Sequence, residues 1–78
     1  MKEAIVYTGP GWSWCDRVKG LLLDNYYDYE EIPIMEGLDK LKTLTDIPIR
    51  SIPQVVINGE YVGGFAEVEN FIKRFPDH

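Results

Sequence analysis

Cys15 is the single cysteine of this chain, and it follows the run Gly9-Pro10-Gly11 and the triplet Trp12-Ser13-Trp14. The apolar stretch Ile5-Val6-Tyr7 before the glycines and the helical spacing of Trp14, Val18, Leu21 and Leu22 after them predict a strand, a tight turn and a helix. Cys15 then lies in the first helical turn, where unpaired backbone N–H groups favour thiolate over thiol. The chemistry open to such a group is thiol–disulfide exchange, which needs a line of approach to a sulfur. Other reactive candidates are thin. The one histidine, His78, is the last residue, and a lone cysteine with a terminal histidine makes no metal shell. Glu30 and Glu31 are neighbours on a predicted strand, so they point to opposite faces and form no acid–base pair. Tyr26, Tyr27 and Tyr29 read as packing and strand-forming residues, and Asp24, Asp28 and Asp39 as solubilising and capping ones.

The elements that must position Cys15 follow from pattern. Ala4 to Thr8 reads as a buried strand, and Ser13 to about Asn25 as a helix with Asp16, Arg17 and Lys19 facing water. Tyr26 to Ile34 holds a second strand closed by Pro33, and Gly37 to Leu44 a short helix with the stripe Leu38, Leu41 and Leu44. Pro48 and Pro53 make the segment from Ile47 to Pro53 a loop. Gln54-Val55-Val56-Ile57 and Glu60-Tyr61-Val62 flank Asn58-Gly59, a pair suited to the two positive φ angles of a type I′ hairpin turn. Gly63-Gly64 leads to a last helix with Val68, Phe71, Ile72 and Phe75 on one face, acids early and bases late. The order is β-α-β-α-β-β-α. The first parallel unit must cross right-handed, which sets the Cys15 turn at the C-terminal edge of the first strand, where open α/β sheets carry their sites.

Composition narrows the function classes. Seventy-eight residues at 45% hydrophobic and 27% charged predict a single globular domain over 1–78. A net charge of −5 with scattered basic residues disfavours a nucleic-acid partner. No apolar run approaches the roughly 20 residues of a membrane helix, and Met1 to Ala4 leads directly into a strand with no leader pattern. One cysteine excludes an intrachain disulfide and fits the cytoplasm. A monomer is expected.

Four segments together resemble the glutaredoxins, small α/β proteins of thioredoxin-like fold. They are Tyr7-Thr8, then Trp12-Ser13-Trp14-Cys15 with Lys19-Gly20-Leu21-Leu22, then Ser51-Ile52-Pro53-Gln54, and Gly63-Gly64. The resemblance covers nearly the whole chain and implies a four-stranded mixed sheet flanked by helices. The family's active turn reads Cys-Pro-Tyr-Cys. Counting five residues on from Tyr7 and seven back from Lys19 places its first, nucleophilic cysteine at Trp12. Cys15 then matches the second, resolving cysteine, which points inward against the sheet and is a poor nucleophile. Three accounts of Trp12 stand together: a substitution in an active parent, a divergent member that has lost redox cycling, or transfer of the catalytic role to Cys15.

The resemblance also implies a glutathione groove. Pro53 would be cis, with the Ile52 backbone pairing with the cysteinyl part. Gly63, Gly64 and the residues Phe65, Ala66 and Glu67 would receive the γ-glutamyl end through helix amides, with Ala66-Glu67 in place of the family's Asp pair. Trp14 would flank the groove. The family's lysine for the glycine carboxylate is Gly9 here, and Arg50 is the nearest substitute. The implied function is glutathione-dependent thiol–disulfide oxidoreduction, impaired by Trp12. Glutathione would be the co-substrate, with no tightly bound cofactor and no metal. Partners would be glutathione and protein or mixed disulfides, ribonucleotide reductase among them. The alternative is a redox-silent module that binds glutathione or an extended peptide.

Overall fold

The computed structural model describes residues 2–10 and 13–74. Seven elements follow one another: β1 (Lys2–Thr8), α1 (Ser13–Asp24), β2 (Tyr27–Pro33), α2 (Ile34–Lys42), β3 (Gln54–Ile57), β4 (Glu60–Gly63) and α3 (Phe65–Arg74). The strands form one mixed sheet in the order β2-β1-β3-β4. β1 pairs in parallel with β2 and antiparallel with β3, and β3 pairs antiparallel with β4.

Strand alternation divides the core into two layers. Ala4 and Val6 of β1, with Val55 and Ile57 of β3, face α1 and α3, where Val18, Leu22 and Val68 close a cluster with Tyr27. Tyr7 and Val56 face the other way and pack with Leu41 of α2. β3 has helices over both faces, so all four of its residues are buried. That accounts for its unbroken run Val-Val-Ile. Asn58 and Gly59 have φ of 51° and 84°, the conformation expected of the type I′ turn.

Several expectations shift. α2 starts at Ile34 rather than Gly37, because Pro33 ends β2 and stands as the N-cap with its φ already fixed at −57°. Gly37 is therefore interior to the helix, and a Cβ there would overlap the Tyr7 ring. The helix ends at Lys42, so Leu44 falls outside it and is 37% exposed, whereas Leu41 is fully buried. Tyr26 does not pack: it is exposed, with φ of 65° in the turn from α1 to β2. Asn25 lies just beyond α1, its side-chain amide donating to the Leu21 carbonyl at 2.8 Å. The expectations for Trp12, Phe75 and His78 lie outside the described residues.

Candidate active site at the start of helix α1

β1 delivers the chain to Thr8 at its C-terminal end, Gly9 and Pro10 follow, and α1 begins at Ser13. Cys15 is 3% exposed and is the free cysteine of the structure. Its neighbour Trp14 turns outward, 45% exposed, and its ring centroid lies 5.4 Å from that of Phe65, the first residue of α3, at an interplanar angle of 58°. Tilted pairs at this spacing are attractive beyond their buried area. Arg17, one helical turn on, sets its guanidinium carbon 4.5 Å from the Trp14 ring centroid.

The loop before β3 arrives from the other side. The Ile52–Pro53 peptide is cis and Pro53 is buried. Gly9 leaves room for it: a Cβ on Gly9 would stand 2.6 Å from Ile52 Cδ1. Gln54 holds this loop, donating from Nε2 to the Ser51 carbonyl at 3.0 Å while its Oε1 accepts from the Tyr61 hydroxyl at 2.7 Å. A Cβ on Gly64 would lie 3.5 Å from the Pro53 carbonyl oxygen, so β4 and α3 meet the same corner. Gly63 has φ of 128°, which only glycine takes readily. Its successor's N–H is already engaged: Gly64 donates to Glu67 Oε1 at 2.9 Å, half of a capping box.

Of the residues singled out from sequence, Trp14, Phe65, Ile52, Pro53, Gly63, Gly64 and Glu67 converge on this corner. Ala66 is exposed on the first turn of α3. Arg50 is exposed and lines a shallow hollow of about 250 Å³ with Ile34, Leu38, Ile49, Ser51 and Ile52, on the α2 side of the loop.

Sequence reasoning missed a polar network on the opposite flank of α1. Lys19 does not face water. Its ammonium donates to Glu31 Oε2 at 2.8 Å and lies 3.6 Å from Asp16 Oδ1. The same Glu31 oxygen accepts from the Thr8 hydroxyl at 3.0 Å. The Lys19 hydrogen bond, aided by that of Thr8, holds the Glu31 carboxyl below its ordinary range, and the Glu31 bond raises the Lys19 ammonium. With Cys15, Ser13, Gly9 and Pro10, these residues line a cleft of about 420 Å³. Two signals pointed there: Lys19 is four residues after Cys15 on one helix face, and a parallel β-α-β unit sets the end of β2 beside the end of β1. Among the described residues, no group of three or more His, Cys, Asp or Glu side chains could hold a metal ion. Within them, no helix is long and apolar enough to cross a membrane.

The stretch that carries a cysteine in the first turn of the helix after β1 and a cis Ile52–Pro53 peptide before β3 is matched over residues 4–62 by the glutaredoxin family model. The chain belongs to the glutaredoxin family. Its thioredoxin-like fold is that of the family's thiol oxidoreductases. Glutaredoxin 1 from Francisella tularensis, solved with cacodylate, superposes with a TM-score of 0.75 at 22% identity over 100% of both chains. The buckwheat glutaredoxin–glutathione complex superposes with a TM-score of 0.73 at 23% identity, over 96% of this chain and 72% of that one. In sequence, the chain is 29% identical over 72 residues to the hybrid peroxiredoxin hyPrx5 of Haemophilus influenzae. That match takes in 91% of this glutaredoxin-family chain but spans only 30% of the length of that relative.

Proposed function

We propose that this protein is a glutaredoxin-type, glutathione-dependent thiol–disulfide oxidoreductase whose turnover is impaired because Trp12 stands at the nucleophile position. The burial of Cys15, at 3% exposure, carries this reading. Exchange is an in-line attack of a thiolate on a disulfide sulfur, and the chain's single thiol lies inside the first turn of α1 with little open approach. In a working cycle an exposed thiolate displaces the protein thiolate from a glutathione mixed disulfide, and free glutathione then attacks the new mixed disulfide to release glutathione disulfide. Cys15 is poorly set for the first of these steps.

Glutathione would lie along the corner described above, as the co-substrate rather than a tightly bound cofactor. Ile52 and Pro53 would pair with its cysteinyl part, and Trp14 would flank it. Gly63, Gly64, Phe65, Ala66 and Glu67 would border the γ-glutamyl end, with Arg50 toward the glycine end. The glutathione complex of a structural relative supports this choice of ligand. The partners are protein or mixed disulfides, ribonucleotide reductase among them, in the cytoplasm. The second reading is a redox-silent binding module, and buried Cys15 favours it over a one-thiol catalyst.

The test is reduction of a small glutathione mixed disulfide by the unaltered chain and by Trp12→Cys, beside a glutathione titration of each. Binding by both with turnover only in Trp12→Cys is the expected result. Equal turnover would place the chemistry on Cys15 and remove the impairment. Binding without turnover in a folded Trp12→Cys would favour the silent module.

A further inference from the structure

Between Lys42 and Gln54 the chain forms neither helix nor strand, so no ladder of backbone bonds sets Ser51 and Ile52. Gln54, the first residue of β3 and buried to 6% exposure, ties them instead. The Ser51 carbonyl can only accept, so the Gln54 amide must turn Nε2 toward it, at 3.0 Å. Its Oε1 then faces the other way and accepts from the Tyr61 hydroxyl at 2.7 Å. The Tyr61 ring packs against Tyr7, Leu41 and Val56, which anchors that hydroxyl on the sheet. Its reach depends on register. Tyr61 pairs with Val56 and Gly63 with Val55, so Val62 is an extra residue, a bulge in β4. One short strand thereby brings Tyr61 to Gln54 and Gly64 to the Pro53 carbonyl, both against the same loop.

We propose that Tyr61 is a positioning residue for the binding of a thiol peptide. Acting through Gln54, it fixes the Ser51–Ile52 backbone beside cis Pro53, so that this backbone is already set when the cysteinyl part of the ligand pairs with it. The inference rests on the glutathione reading above and goes beyond it, since it gives a side chain of β4 that need not touch the ligand a share in the affinity. A loop held by two hydrogen bonds in series has little freedom left to lose on binding. Released from them, it must be ordered as the ligand arrives, which weakens the complex.

The experiment is calorimetric titration of the unaltered chain, Tyr61→Phe, Gln54→Met and the double variant with glutathione, beside thermal denaturation of each. Tyr61→Phe removes one oxygen and keeps the ring packing. It is expected to weaken glutathione about three- to tenfold, the scale of one hydrogen bond. Gln54→Met is expected to weaken it at least as much. Adding Tyr61→Phe to Gln54→Met should change nothing further, because the two bonds act in series. Undiminished glutathione binding by Tyr61→Phe, with only its melting temperature lowered, would mark a purely structural bond and overturn the proposal. Losses that add in the double variant would overturn it too, since Tyr61 would then act by a route other than Gln54. Should Gln54→Met fail to fold, Tyr61→Phe decides alone. If the unaltered chain does not bind glutathione, the glutathione reading itself fails and this inference falls with it.

Discussion

Lys19 and Glu31 meet at 2.8 Å across the gap between α1 and β2, and the oxygen that joins them also accepts from Thr8 at the end of β1. Three elements are thus tied at one carboxylate, on the flank of α1 away from Phe65 and in the cleft that Cys15 also lines. The tie links the N-terminal half of α1 to the C-terminal ends of β1 and β2.

Its pH dependence has a definite sign. The Glu31 carboxyl is lowered from its ordinary 4.5, so it stabilises the fold above that value and loses the contribution as pH falls through the lower folded value. Lys19 is raised from 10.5, so its contribution is complete below that value and is lost in still more alkaline solution. Both groups are partly solvated, which holds the pair to about 0.5 kcal/mol. Glu31→Gln is therefore expected to lower stability slightly at pH 7 and to have no effect near pH 2. Urea denaturation at the two pH values reads this, and an equal loss at both would mean that packing, not charge, carries the effect.

Cys15 should resist alkylation in the native state. Its 3% exposure predicts labelling by a neutral thiol reagent slowed about a hundredfold or more relative to the urea-unfolded chain, since reaction waits on local opening. Mass spectrometry of timed aliquots measures the two rates. Rapid native labelling would show that the cleft beside Lys19 admits reagents freely and would weaken the case for an impaired thiol.

Two glycines inside helices should answer an alanine substitution with opposite signs. A Cβ on Gly20 of α1 meets nothing within 4 Å, so Gly20→Ala should stabilise by about 0.5–1 kcal/mol through helix propensity. A Cβ on Gly37 of α2 would overlap the Tyr7 ring and stand 3.0 Å from Ile32 Cγ2, so Gly37→Ala should destabilise by about 1–3 kcal/mol. Thermal denaturation of both variants checks the contrast. A stabilised Gly37→Ala would mean that α2 moves off the sheet easily.

Much of the fold was legible in the chain itself. Asn58-Gly59 demanded a turn with positive φ at both residues, the runs on either side of it read as the two strands of a hairpin, and the α1 periodicity set Val18 and Leu22 inward. These are local rules, enforced by sterics and by the period of each element. The start of α2 was not legible, because a proline that closes a strand can also open a helix, and only packing of Ile34 and Leu41 decides which. Lys19 read as a solvated helix residue because its partner is 12 positions away, on a strand brought alongside by a right-handed crossover.

By itself, the sequence determined that the single cysteine lies three residues after a tryptophan in an active-turn motif, since residue identity and spacing need no coordinates. The tertiary structure alone decided what surrounds this thiol, an aromatic–cation stack on one flank of the helix and a lysine–glutamate tie on the other. Burial and long-range pairing depend on which faces the sheet brings together, and that is a property of the packed chain, not of any segment within it.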